Sequence, residues 1–212
     1  MHGASRTHTV ILGKTATVPL FLAPNSTQSE PLKVRPLYID GSLKEFTTGE
    51  VHEITDRQFV VQRAFRINDA LPGDPRVLPK WRWQRGAWLL VERATGRISV
   101  LRLPYFDPFY SVLAWYRDYA AYCGVSENGE GLLAVVAQVG ARRPIMFSPL
   151  RSLTGIEPAT PCRLPVWQRA PARATFVLED GKEFILTVRG NTVNTPPAEV
   201  PTPAEEPHDQ SP

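Results

Sequence analysis

The chain has little of what builds most recognisable active sites. Among 212 residues there are two cysteines and four histidines. The histidines, His2, His8, His52 and His208, are scattered, and no Cys/His spacing of a zinc site is present. No run approaches the ~20 apolar residues needed to cross a bilayer as a helix. Gly13-Lys14-Thr15 looks like the end of a phosphate-binding loop. The position that should carry the loop's first glycine is His8, however, so the backbone cradle is missing. Val10-Ile11-Leu12 and Val18–Ala23 are apolar, but Lys14 interrupts them and Pro24 follows, which makes a poor export leader. Two compartments stay open: an intracellular chain, or an exported one whose leader has been removed.

Cys123 and Cys162 could form one disulfide, but the pair alone does not establish it. Cys123 lies in the apolar run Ala120–Val125, which points to a small buried thiol. Apolar surroundings raise a thiol's pKa, so Cys123 is not expected to act as a nucleophile. His52 is the one histidine inside the expected domain. On an extended segment it shares a face with Glu50 while Glu53 points away, and it reads as part of a solvated strand face. No catalytic residue, metal site or cofactor is assigned.

What the chain does have is proline, charge asymmetry and period-two patterning. Thr195–Pro212 holds Glu199, Glu205, Glu206 and Asp209 but no lysine or arginine. Without these four acids the body carries 24 basic against 17 acidic residues, or +7. That excess keeps a domain soluble and does not by itself select nucleic acid or another anionic polymer as partner. Residues 1–29 read as an irregular segment with a short strand, 30–194 as a β domain, and 195–212 as a disordered tail rich in proline and glutamate.

Within the domain, apolar alternation is broken by turn residues. Asp40-Gly41 separates Pro36–Ile39 from Leu43–Thr47, a hairpin signal. Trp88–Glu92 turns at Arg93–Arg97 into Ile98–Leu103. Leu132–Val139 is apolar almost throughout, as expected of a strand buried on both faces. Ala174–Leu178 and Glu183–Val188 form a last hairpin. Residues 108–123 read two ways. Asp107, Pro108 and Gly124 would frame a short helix. The aromatic and β-branched content instead favours two strands, Ser111–Trp115 and Tyr119–Val125.

Gly96, Gly140 and Gly181 recur at intervals of 44 and 41 residues, each between an apolar strand and its return. Trp115-Tyr116-Arg117-Asp118, Tyr119–Val125, Asn128-Gly129 and Leu132–Gly140 follow in order. Residues 111–141 thereby resemble a blade of the β-propeller families, WD-repeat or Tol-type, although Tyr119 replaces the usual glycine after the aspartate. The expected fold is all-β, built of consecutive antiparallel hairpins as propeller-like blades or a β-sandwich.

The expected role is a non-enzymatic interaction or scaffold module whose partner is another protein. The expected surface combines Trp81, Arg82, Trp83 and Arg85 with Tyr105, Phe106 and Tyr110. On a strand Trp81 and Trp83 face one way and Arg82 the other; if the tryptophans are core, the basic residues form a solvated rim. Two other readings stay open: a hydrolase-type enzyme with a dispersed site, and a binder of anionic polymers. Oligomeric state is not set by the sequence.

Overall fold

The computed structural model describes residues 8–21, 28–70, 78–153 and 162–188. Among these the regular structure is all strand. No helix there is long and apolar enough to cross a membrane. The expected tail and the loop between Asn68 and Leu78 lie largely outside the described residues.

The first half of the chain closes into a barrel. β2 (Ala16–Phe21), β3 (Ser29–Ile39), β4 (Ser42–Thr55), β5 (Gln58–Asn68) and β6 (Trp81–Glu92) follow one another as an antiparallel meander. Five is an odd number, so the first and last strands run the same way and the closing contact must be parallel. It is made by one residue pair, Leu20 with Trp83. β1 (Val10–Leu12) adds to the far half of β3, and β7 (Arg97–Val100) to β6. The segment before residue 30, expected to hold one short strand, supplies two, and one of them closes the barrel. Register shifts interrupt β4 between Thr48 and His52, where a bulge lets a long strand bend round the barrel.

The second half forms two further sheets. β8 (Leu113–Tyr116), β9 (Tyr119–Val125), β10 (Gly131–Gln138) and β11 (Met146–Ser152) make a four-stranded antiparallel meander. β12 (Val166–Arg169), β13 (Ala172–Val177) and β14 (Glu183–Thr187) make a three-stranded one. Residues 111–141 contain β8, β9 and β10.

The four-stranded sheet is the middle layer. Ala121, Cys123, Leu132, Ala134 and Val136 pack with Ala174, Phe176 and Leu186 of the last sheet. The alternate residues, Ala120, Tyr122, Leu133, Val135 and Ala137, meet Leu103, Phe106 and Leu113 on the side toward the barrel. Two buried faces explain why Leu132–Val139 shows no polar alternation. β5 follows the same logic: Phe59 and Val61 belong to the cluster with Leu37, Leu89 and Val91, while Val60 packs with Trp88 and Leu101.

Of the two readings of 108–123 the favoured one holds: β8 and β9 occupy it as strands, and no helix does. The framing signals are real but produce a single turn: the amides of Tyr110 and Ser111 both donate to the Asp107 carbonyl, and Phe109 N–H donates to Asp107 Oδ1. Beyond it, both faces of β8 and β9 find apolar neighbours, which a one-sided helix would leave unburied. The cysteines are not free thiols. Cys123 on β9 and Cys162 form a disulfide with Cα atoms 6.1 Å apart, and both are buried. It ties the middle sheet to the chain entering the last sheet across a sequence separation of 39.

Replacing both cysteines by alanine should lower unfolding free energy by about 2–4 kcal/mol, the usual worth of closing a loop of this size. Urea denaturation should show the midpoint fall while the folded β spectrum persists.

Candidate functional site

The connector between β7 and β8, residues 101–112, lies between barrel and middle sheet, and clefts flank it on both sides. Its path is fixed by hydrogen bonds. Leu101 N–H donates to the Trp88 carbonyl at 2.8 Å. Tyr122 Oη donates to the Pro104 carbonyl at 2.7 Å, and Ser111 Oγ to the Cys123 carbonyl at 2.7 Å. Burial pushes the Tyr122 phenol's pKa well above its ordinary value, so it stays a donor. Phe106 anchors the middle, edge-on to the Tyr122 ring at 5.5 Å.

Tyr105 is held in the left-handed region, with φ of 63°. A bulky residue there is strained. Two features hold it. Val125 N–H donates to the Tyr105 carbonyl at 2.8 Å. Position 124 is glycine, and a Cβ there would stand 2.7 Å from that same carbonyl oxygen. The Tyr105 ring lies against Phe147 on β11, centroids 6.1 Å apart.

On the barrel side, a cleft of about 640 Å³ is lined by Lys33, Glu50, His52, Arg85, Trp88 and Trp115, among others. A smaller one of about 230 Å³ is lined by Leu20, Phe21, Glu30, Arg85, Phe109 and Tyr110. Arg85 belongs to both. The residue is half-buried, and its guanidinium makes no hydrogen bond or ion pair with another described residue. Phe109 is 62% exposed and Tyr110 39%.

His52 does not sit on a solvated strand face. It stacks on Trp115, centroids 5.4 Å apart and planes 11° apart, and its Nε2 is 2.6 Å from the Arg117 carbonyl oxygen. Trp115 in turn meets Trp88 edge-on at 5.3 Å. This ladder joins barrel to middle sheet, and both indole N–H groups in it are buried without an acceptor among the described residues. Neighbouring Glu53 is engaged by Arg93 through two 2.7 Å hydrogen bonds, which hold its carboxyl below the ordinary value. Among the described residues no group of three or more His, Cys, Asp or Glu could hold a metal.

The expected surface residues divide into three groups. Arg85 and Tyr110 share the small cleft. Tyr105 and Phe106 line the cleft on the other side of the connector. Trp81, Arg82 and Trp83 line none of these. Trp81 is 57% exposed, and the Arg66 guanidinium lies 5.6 Å from its ring and 5.4 Å from that of Trp83. Trp83 is half-buried, edge-on to Phe46 at 5.3 Å. Arg82 corrects the idea of a solvated basic rim: its side chain is only 6% exposed. Its Nε lies 2.8 Å from an Asp69 carboxylate oxygen, too poorly angled to be a hydrogen bond but close enough for strong attraction, and it packs on Phe21 at 4.4 Å. Sequence patterning missed Phe147, Arg142 and Arg143, which become neighbours of the site only through the meander of the middle sheet.

Asp69→Ala should cost about 3 kcal/mol, because it strands a buried guanidinium. Arg82→Met should cost less, since Asp69 can hydrate; parallel urea titrations compare the two. Gly124→Ala should cost roughly 1–3 kcal/mol by overpacking and speed hydrogen exchange at the Val125 amide as Tyr105 is displaced.

Compared with known proteins, the chain matches no family model, no curated protein and no solved structure.

Proposed function

We propose that the chain is a non-enzymatic interaction module that holds an extended segment of a partner protein along the barrel-side groove. Arg85 carries this reading. A half-buried arginine without a carboxylate holds an unpaired guanidinium fork between two clefts, and an incoming acidic group can take it through two parallel hydrogen bonds. Beside it stand Phe109 and Tyr110, exposed at the end of a braced connector. Aromatic residues and arginine are the side chains that concentrate binding energy in protein interfaces. The partner segment would therefore present a carboxylate next to apolar side chains. The likeness of residues 111–141 to a propeller blade stands beside this as a proposal about the middle sheet, whose strands follow in chain order as a blade's do.

Affinity capture from the native cell tests the reading. The wild-type chain should retain a partner that is lost on Arg85→Glu and weakened at least tenfold by Tyr110→Ala, a loss of 1.4 kcal/mol or more. Equal retention by wild type and R85E would remove the groove from consideration, and no partner for either would remove the module.

A further inference from the structure

On the far side of the connector, the structure assigns a second site that does not depend on the groove reading: a binding site for an acidic polysaccharide. The cleft there has a volume of about 720 Å³ and is lined by Tyr105, Asp107, Glu127, Arg142, Arg143 and Phe147, among others. Arg142 also lines an adjoining cleft of about 330 Å³ together with Arg102. All three arginines are exposed, and none makes a hydrogen bond, ion pair or ring contact with another described residue. Of the two acids, Asp107 spends one oxygen on the Phe109 amide. The site thus offers three uncommitted guanidinium forks, each able to take a carboxylate through two parallel hydrogen bonds.

The aromatic component is built rather than incidental. Tyr105 is kept in a strained conformation by the Val125 hydrogen bond and by the absence of a side chain at Gly124. Strain of that kind persists where the surrounding structure imposes it and is concentrated at ligand sites. Its ring and the 44%-exposed ring of Phe147 lean toward each other at 50°. Two tilted rings that share a cleft with Arg142 and Arg143, with Arg102 in the adjoining one, suit a chain of sugar rings bearing carboxylates: the apolar ring faces rest on the aromatics and the acids reach the arginines.

A single-stranded nucleic acid would suit the same residue types. The buried Cys123–Cys162 disulfide decides between them. Disulfides persist in oxidising compartments, outside the reducing cytosol where nucleic acids are held. Acidic polysaccharides are the abundant ring-bearing polyanions of those outer compartments.

Calorimetric titration of the full chain at low salt tests this with hexamers of galacturonic, glucuronic and mannuronic acid. Neutral maltohexaose and a short oligothymidylate serve as comparison. At least one hexauronate should bind and maltohexaose should not. Arg142→Ala with Arg143→Ala should weaken the uronate roughly tenfold or more, and Phe147→Ala should weaken it severalfold. Arg163→Ala with Arg169→Ala removes the same charge from exposed positions elsewhere and should change nothing. The assignment fails if no hexauronate binds, if the two double variants lose affinity equally, or if oligothymidylate binds more tightly and depends on the same residues.

Discussion

The arrangement depends on one constraint: the middle sheet is covered on both faces. One face is taken by the last sheet, whose Phe176 and Leu186 fill against Ala134 and Val136. The other must be covered by the barrel and the connector, because leaving Tyr122, Leu133 and Val135 in water would forfeit about 1.5–3 kcal/mol for each large side chain. The connector is irregular chain pressed against a buried surface, so its backbone groups need partners that a sheet edge cannot give. Tyr122 Oη and the Val125 amide donate to the Pro104 and Tyr105 carbonyls, and Ser111 Oγ accepts from the Asp107 amide. Irregular backbone braced between two layers is what creates the clefts on its two sides, and what keeps Tyr105, Phe109 and Tyr110 from collapsing into the core.

Much of the local structure was legible in the sequence because it is decided by neighbours along the chain. Asp40-Gly41 turns with φ of 51° and 76°, the geometry its residue types favour, and the flanking strands pair across it. The apolar run Leu132–Val139 told of two buried faces because a period-two pattern disappears when neither side meets water. The helix signals at 107–124 lose to the strand pattern for a matching reason. A cap and an N1 proline start a turn, but continuation needs a single apolar stripe, and here Leu113 and Trp115 alternate with Ala114 and Tyr116 between partners on both faces.

What was hidden depends on meetings between distant segments. Barrel closure rests on Leu20 beside Trp83, and nothing near either residue specifies the other. His52 looked solvated because its own strand alternates; it is the arrival of Trp115 and the Arg117 carbonyl from beyond the connector that covers it. Cys123 and Cys162 likewise meet because the last sheet lies on β9. Four of the seven expected surface residues, Arg85, Tyr105, Phe106 and Tyr110, line the clefts. Trp81 and Trp83 share a face as expected, but they engage Arg66, while Arg82 is drawn into the fold by Asp69.

The arginines then separate structure from function more sharply than the net charge does. Arg63, Arg82 and Arg93 each lie against a carboxylate, Glu45, Asp69 and Glu53 respectively, and on a ring, Phe65, Phe21 and Phe59. These belong to the barrel, and their charge is already answered within it. Arg85, Arg102, Arg142 and Arg143 have no such partners among the described residues, and all four line the clefts around the connector. An excess of +7 spread evenly would give only a diffuse field that salt screens over about 8–10 Å. Concentrated beside fixed aromatic rings, the same charges sit where a ligand's own acids and apolar faces can meet them together, which is the condition for selective rather than merely electrostatic binding.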